Sequence, residues 1–167
     1  EPLLGTFELN GKAYNAIDIF EEDNSGIQQA TILISKKETM ISDGNQLANV
    51  VAENGSVTGI TYTTTGDGAQ QKTVASIVVE ANGSSVLYNL TIAFKPDLTL
   101  TYFDADGVTK IGSQVVEQDA TISSFSFGAS NVAVSSGSVF RGWSVSTESG
   151  KRKFSEADVV TTDENLY

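Results

Sequence analysis

From Ser84 to Lys95 apolar and polar residues take turns: Val86, Tyr88, Leu90, Ile92 and Phe94 face one way, Asn89 and Thr91 the other. A period of two marks a half-buried antiparallel strand with one face on a core. Thr73 to Glu80 is its expected partner across Asn82-Gly83, because a tight hairpin needs positive φ at both central residues. The same dipeptide at Asn10-Gly11 joins Thr6–Leu9 to Lys12–Tyr14, and at Asn54-Gly55 it predicts pairing of Leu47–Ala52 with Val57–Thr65. Ile27 to Ser35, rich in β-branched residues, reads as one more strand. Ala16 to Glu22 holds the only plausible helical turn. Lys36 to Asn45, polar and broken by Gly44, reads as a loop or ragged edge, and Gly66-Asp67-Gly68 as a turn. Hairpins at short spacing with almost no helix predict an all-β, mainly antiparallel fold, with an Ig-like β-sandwich over residues 1–96.

Pro96 cannot donate to a ladder, so a strand ends there and a second domain, 97–167, is expected to follow without a flexible linker. Leu98 to Phe103 starts a new alternating strand, turns through Asp106-Gly107 and returns through Val108 to Val116. Thr121 to Val134, serine-rich with Phe125 and Phe127, fits a strand, a short helix or a crossover. Val139 to Ser146 reads as a strand carrying the single tryptophan, Trp143.

The closing stretch runs Phe140-Arg141-Gly142-Trp143, then a turn at Gly150, the lone aromatic Phe154, and Leu166-Tyr167. With the hairpin before it, this part resembles the Listeria–Bacteroides (internalin B-type) repeat of bacterial surface proteins. Phe140, Gly142, Trp143, Gly150, Leu166 and Tyr167 occupy the matching positions. The resemblance implies a small β-grasp-like domain of two hairpins around one short crossover. It differs from the family pattern in having no proline between Ala129 and Ser138, and in stopping before the expected alanine. It also implies export: a cell-surface or secreted bacterial protein, similar to accessory regions of secreted pectate-lyase-like enzymes, with other domains in the parent protein.

Composition narrows the chemistry. Of 167 residues, 40% are hydrophobic and 19% charged, enough apolar content for packed cores. No apolar run approaches the roughly 18 residues that span a bilayer, so no membrane insertion is expected. Glu1 to Gly5 lacks the features of a signal peptide and is read as a mature or trimmed start. The formal charge of −11 is spread evenly, with 5 basic and 11 acidic residues in 1–96 and 5 and 10 in 97–167. Such a chain repels nucleic acid. Without histidine or cysteine it has no Ser-His-Asp or Cys-His machinery and no zinc site of the usual ligand sets. Phosphate-cradling and dinucleotide-binding glycine loops are also missing. The expectation is therefore a non-catalytic module with no cofactor and no metal.

Asp104-Ala105-Asp106-Gly107 resembles the opening of a calcium loop, but the twelfth position, where a glutamate belongs, is Val115. A plain hairpin turn explains it better. Asn54-Gly55-Ser56, Asn82-Gly83-Ser84 and Asn89-Leu90-Thr91 match the glycosylation pattern, which carries no meaning in a bacterial protein. Three groups remain as candidate ligand contacts. Arg141 with Lys151, Arg152 and Lys153 forms the only basic cluster, suited to the carboxylates of an acidic glycan. Tyr62 and Tyr102 are candidates for stacking on sugar rings. Trp143 is expected in the core, because a small domain with one tryptophan buries it there. Alternation then places Arg141 on the same face as Trp143. The function that follows is an extracellular accessory module that binds a polysaccharide. The alternative is a structural spacer or adhesion module without a small ligand.

Overall fold

The computed structural model describes residues 1–148 and 153–167. The protein is almost entirely β and mostly antiparallel, and it divides into two compact units, Glu1–Lys95 and Pro96–Tyr167. No described helix is long and apolar enough to cross a membrane.

The first unit packs two sheets on one core. In the three-stranded sheet, β1 (Leu3–Leu9) lies between β2 (Lys12–Asn15) and β5 (Ala48–Asn54). The five-stranded sheet runs β3 (Glu21–Glu22), β4 (Gln28–Ile34), β8 (Ser84–Phe94), β7 (Lys72–Ala81), β6 (Ser56–Thr65). One turn of helix, α1 (Ala16–Ile19), links β2 to β3. At Asn10-Gly11 and Asn82-Gly83 both residues have positive φ, as tight hairpins require. The inner faces alternate as the sequence does: Ala75, Ile77, Val79, Tyr88, Leu90 and Ile92 are buried against Leu4, Phe7 and Leu9. The Tyr88 hydroxyl accepts a hydrogen bond from the Leu4 N–H at 3.1 Å, bridging the two sheets.

One expectation for this unit is corrected. Asn54-Gly55 makes no hairpin: β5 pairs with β1, and β6 pairs with β7 in the other sheet. The turn is a corner between sheets. Gly55 sits at φ +93° with its α-carbon against the Glu80 carbonyl, where any β-carbon would collide. The strand expected over Ile27–Ser35 is β4, which runs parallel to β8, in register from Gln28↔Tyr88 to Ile34↔Phe94. Lys36 to Asn45 is a loop, the first of the two forms expected for it, and Met40 and Ile41 in it are buried. The Ile41 carbonyl accepts from the hydroxyl of Thr73, a fully buried polar residue, so the loop is hydrogen-bonded into the sheet.

The second unit is built on a hairpin of β9 (Asp97–Phe103) and β10 (Lys110–Glu117), with β13 (Glu164–Leu166) parallel on the other side of β9. Two two-residue strands, β11 (Trp143–Ser144) and β12 (Lys153–Phe154), form a separate pair. Ser144 and Tyr167 exchange backbone hydrogen bonds of 2.8 Å each way, which ties that pair to the end of β13. The strand expected over Val139–Ser146 is thus two residues long. Between residues 121 and 140 the only regular element is a 3-10 turn, Ala129–Asn131. Leu100, Tyr102, Val116, Ile122, Trp143, Phe154, Val160 and Leu166 form the core.

Candidate functional site

The repeat-like positions gather at one end of the second unit. Trp143 is 2% exposed, and its indole N–H donates to the Phe127 carbonyl at 3.0 Å. Phe140 meets it edge-on at 5.3 Å, and Tyr102 does the same at 4.8 Å. Leu166 is buried, and Tyr167 stacks on Phe103 with centroids 5.2 Å apart. Gly142 has a φ of +125°, and the strand expected to hold both Arg141 and Trp143 begins only at Trp143, so strand alternation does not govern Arg141. Trp143 is buried and Arg141 exposed.

Beside this cluster lies a shallow cleft of about 190 Å³. The Phe103–Tyr167 stack, Val132, Val134, Val139 and Phe140 line it, and Arg141 stands among them. Val134 and Val139 are largely exposed. Asp104 positions part of this wall, since its carboxylate accepts from the Ala133 N–H at 2.9 Å as well as from Ala105. Lys153 comes close to this segment, its ammonium donating to the Arg141 backbone carbonyl at 3.1 Å. Arg141 and Lys153 are therefore brought together, while Gly150, Lys151 and Arg152 lie outside the described residues. The cleft is smaller than the roughly 300–1,000 Å³ that encloses a drug-sized ligand. It suits a flat contact with the edge of a larger molecule.

The two tyrosines proposed as sugar platforms do not serve as such. Tyr102 is fully buried, its ring packed against Phe125, Phe127 and Trp143 and its hydroxyl donating to the Gln114 side chain. Burial pushes the phenol above its usual pKa, with a partial offset from a backbone N–H. Tyr62 is half-buried on the first core, and its hydroxyl accepts from the Leu47 N–H at 3.0 Å. Burial raises its pKa too, against the lowering effect of the Leu47 bond. Each hydroxyl is occupied by a structural contact, and the Tyr102 ring has no open face.

The Asp104–Gly107 segment is a hairpin turn. The Asp106 carboxylate accepts from the Thr109 hydroxyl and from the Thr109 and Val108 N–H groups, which holds it below the ordinary carboxylate range. Among the described residues no three acidic side chains gather as a metal site would require. The valines of the cleft and the Phe103–Tyr167 stack escaped the sequence reading. Their signal was faint: isolated apolar residues in a serine-rich stretch, without a period. No family model matches the chain, and no curated protein matches it.

Proposed function

We propose that this chain is a non-catalytic structural or adhesion module of a larger exported bacterial protein, spacing or presenting neighbouring domains. One observation carries the choice over a sugar-binding module. None of the eight phenylalanines, five tyrosines and single tryptophan is exposed, and the exposed large apolar residues are all aliphatic. A platform for a polysaccharide needs open ring faces, and here twelve of the fourteen rings pack into the two cores while Phe103 and Tyr167 stack on each other. The lack of histidine and cysteine supports the non-catalytic part of the reading. The likeness of residues 97–167 to the Listeria–Bacteroides repeat supports placement at the cell surface or outside the cell.

A second reading, binding of an acidic extracellular polysaccharide, draws on Arg141 at the cleft and Lys153 close beside it. On a chain of net charge −11, only a local pair of cations can hold a uronate carboxylate. Affinity electrophoresis of the whole chain through gels containing neutral or acidic polysaccharides separates the two readings. No retardation on any gel is expected for the structural module. Retardation by polygalacturonate that disappears in an Arg141→Ala/Lys153→Ala variant would replace it with the glycan reading.

A further inference from the structure

Sheet edges display unpaired backbone N–H and C=O groups, and proteins normally blunt them with charges, prolines, or very short strands. Most edges here follow that rule. Lys12 guards β2, Glu53 guards β5, and Lys110 and Glu117 guard β10; β3 consists of two glutamates, Glu164 lies in β13, and β11 and β12 are two residues each. The exception is β6, whose one such device is the irregularity at Gly59 near its start. Its sequence SVTGITYTTT runs ten residues with no charged side chain and no proline, and among the described residues only β7 pairs with it.

We propose that β6 is a self-association edge: two copies of the chain pair antiparallel through it, about a two-fold axis at Thr61, so that their five-stranded sheets merge into one. Two features select a second copy as the occupant. The first is register. A two-fold at Thr61 sets Ile60 opposite Tyr62 of the second copy, and Tyr62 opposite its Ile60. Both residues face the core side, where they oppose Ile77 and Ala75 of β7. Aromatic with β-branched is a favourable cross-strand pair, formed twice here.

The second feature is continuity of the outer face. Gln29, Asn89, Ser76 and Thr61 form one cross-strand row, and Thr31, Thr91, Val74 and Thr63 form the next. The second row contains no charge and the first has one only at its far end, Glu21 of β3 opposite Gln29, although acidic residues outnumber basic ones two to one in this protein. Both rows stop at β6. Pairing at Thr61 carries the first row straight into its own copy, with no like charges opposed across the seam.

Sedimentation velocity of the whole chain, at concentrations up to about 1 mM, tests the proposal. A monomer–dimer equilibrium is expected, strengthened by added salt because each copy is strongly acidic. Thr61→Lys sets two ammonium groups face to face at the axis and should weaken dimerisation at least tenfold with an unchanged melting temperature. Thr61→Cys should cross-link into a dimer on mild oxidation, since opposed β-carbons lie about 5 Å apart, while Thr31→Cys on the outer face of β4 should not. A native chain that stays monomeric throughout, a dimer indifferent to Thr61→Lys, or equal cross-linking of both cysteine variants would overturn it. The first result would leave the edge to a strand from another protein, and the second would move the contact to another surface.

Discussion

The two units reach a packed interior by different means. In Glu1–Lys95, strands of seven to eleven residues stack aliphatic side chains from two facing sheets, and the long ladders set where each side chain goes. In Pro96–Tyr167 only β9 and β10 are long, and much of the chain between β10 and β13 has no ladder. There the order comes from rings. Tyr102 touches Phe125, Phe127 and Trp143, Trp143 touches Phe140, and Phe125 touches Phe154. A backbone ladder spreads stability over many small contacts, whereas an aromatic cluster concentrates it in a few large ones. The second unit should therefore be far more sensitive to single substitutions.

Trp143→Ala tests that contrast hardest. Truncating a buried tryptophan costs about 3–5 kcal/mol, and it also leaves the Phe127 carbonyl without its indole donor. A unit of this size holds little more than that, roughly 3–5 kcal/mol. Calorimetry of the whole chain should show the transition of the second unit lost and that of the first retained. A variant that melts like the native chain would mean that stability in the second unit is spread as widely as in the first.

The same contrast explains how much could be read from sequence. Alternation over Thr73–Glu80 and Ser84–Lys95 yields β7, β8 and their hairpin because period two is a direct consequence of the pleat. Asn54-Gly55 misled, since only Gly55 takes a positive φ there, and such a glycine permits a corner between sheets as readily as a hairpin within one. What decides is the approach of Gly55 to Glu80, a contact between segments distant in sequence. In the second unit, the burial of Trp143 follows from its size. The cleft does not follow from any local pattern. Val132, Val134 and Val139 come together with Phe103 and Tyr167 only through the irregular path after β10, and Arg141 lies outside the short strand that begins at Trp143, where alternation does not apply.

Two glycines sharpen the comparison at smaller magnitude. Gly59 in β6 and Gly112 in β10 each sit at a register shift in an edge strand. A β-carbon on Gly59 would meet nothing within 4 Å, whereas one on Gly112 would come within 2.3 Å of the Phe127 ring. Phe127 has little room to yield, because its ring packs on Tyr102 and its carbonyl holds Trp143. Gly112→Ala should cost about 1–3 kcal/mol, the usual range for overpacking. Gly59→Ala should be neutral or stabilising by up to about 1 kcal/mol through the unfolded chain. Chemical denaturation of both variants decides it, and equal effects would show that the aromatic cluster repacks freely.

The smallest expected effect is one in which the units should behave alike. Each contains a turn organised by an exposed aspartate. Asp23 accepts from the Gln29 side chain and from the Ser25 and Ile27 N–H groups, and Asp106 from the Thr109 hydroxyl and two N–H groups. These bonds favour the ionised form and hold both carboxyls below their ordinary pKa, the side-chain donor being the larger cause in each. Because the folded pKa is the lower one, the stabilisation is complete above the unfolded-chain value of about 3.9 and is lost as pH falls through the folded value. A carbon-detected NMR titration should place both midpoints below that value, and Asp23→Asn or Asp106→Asn should reduce the acid sensitivity of its own unit only. A midpoint at or above the ordinary value for Asp106 would leave that turn to Gly107, at φ +72°, and deprive its carboxylate of a structural role.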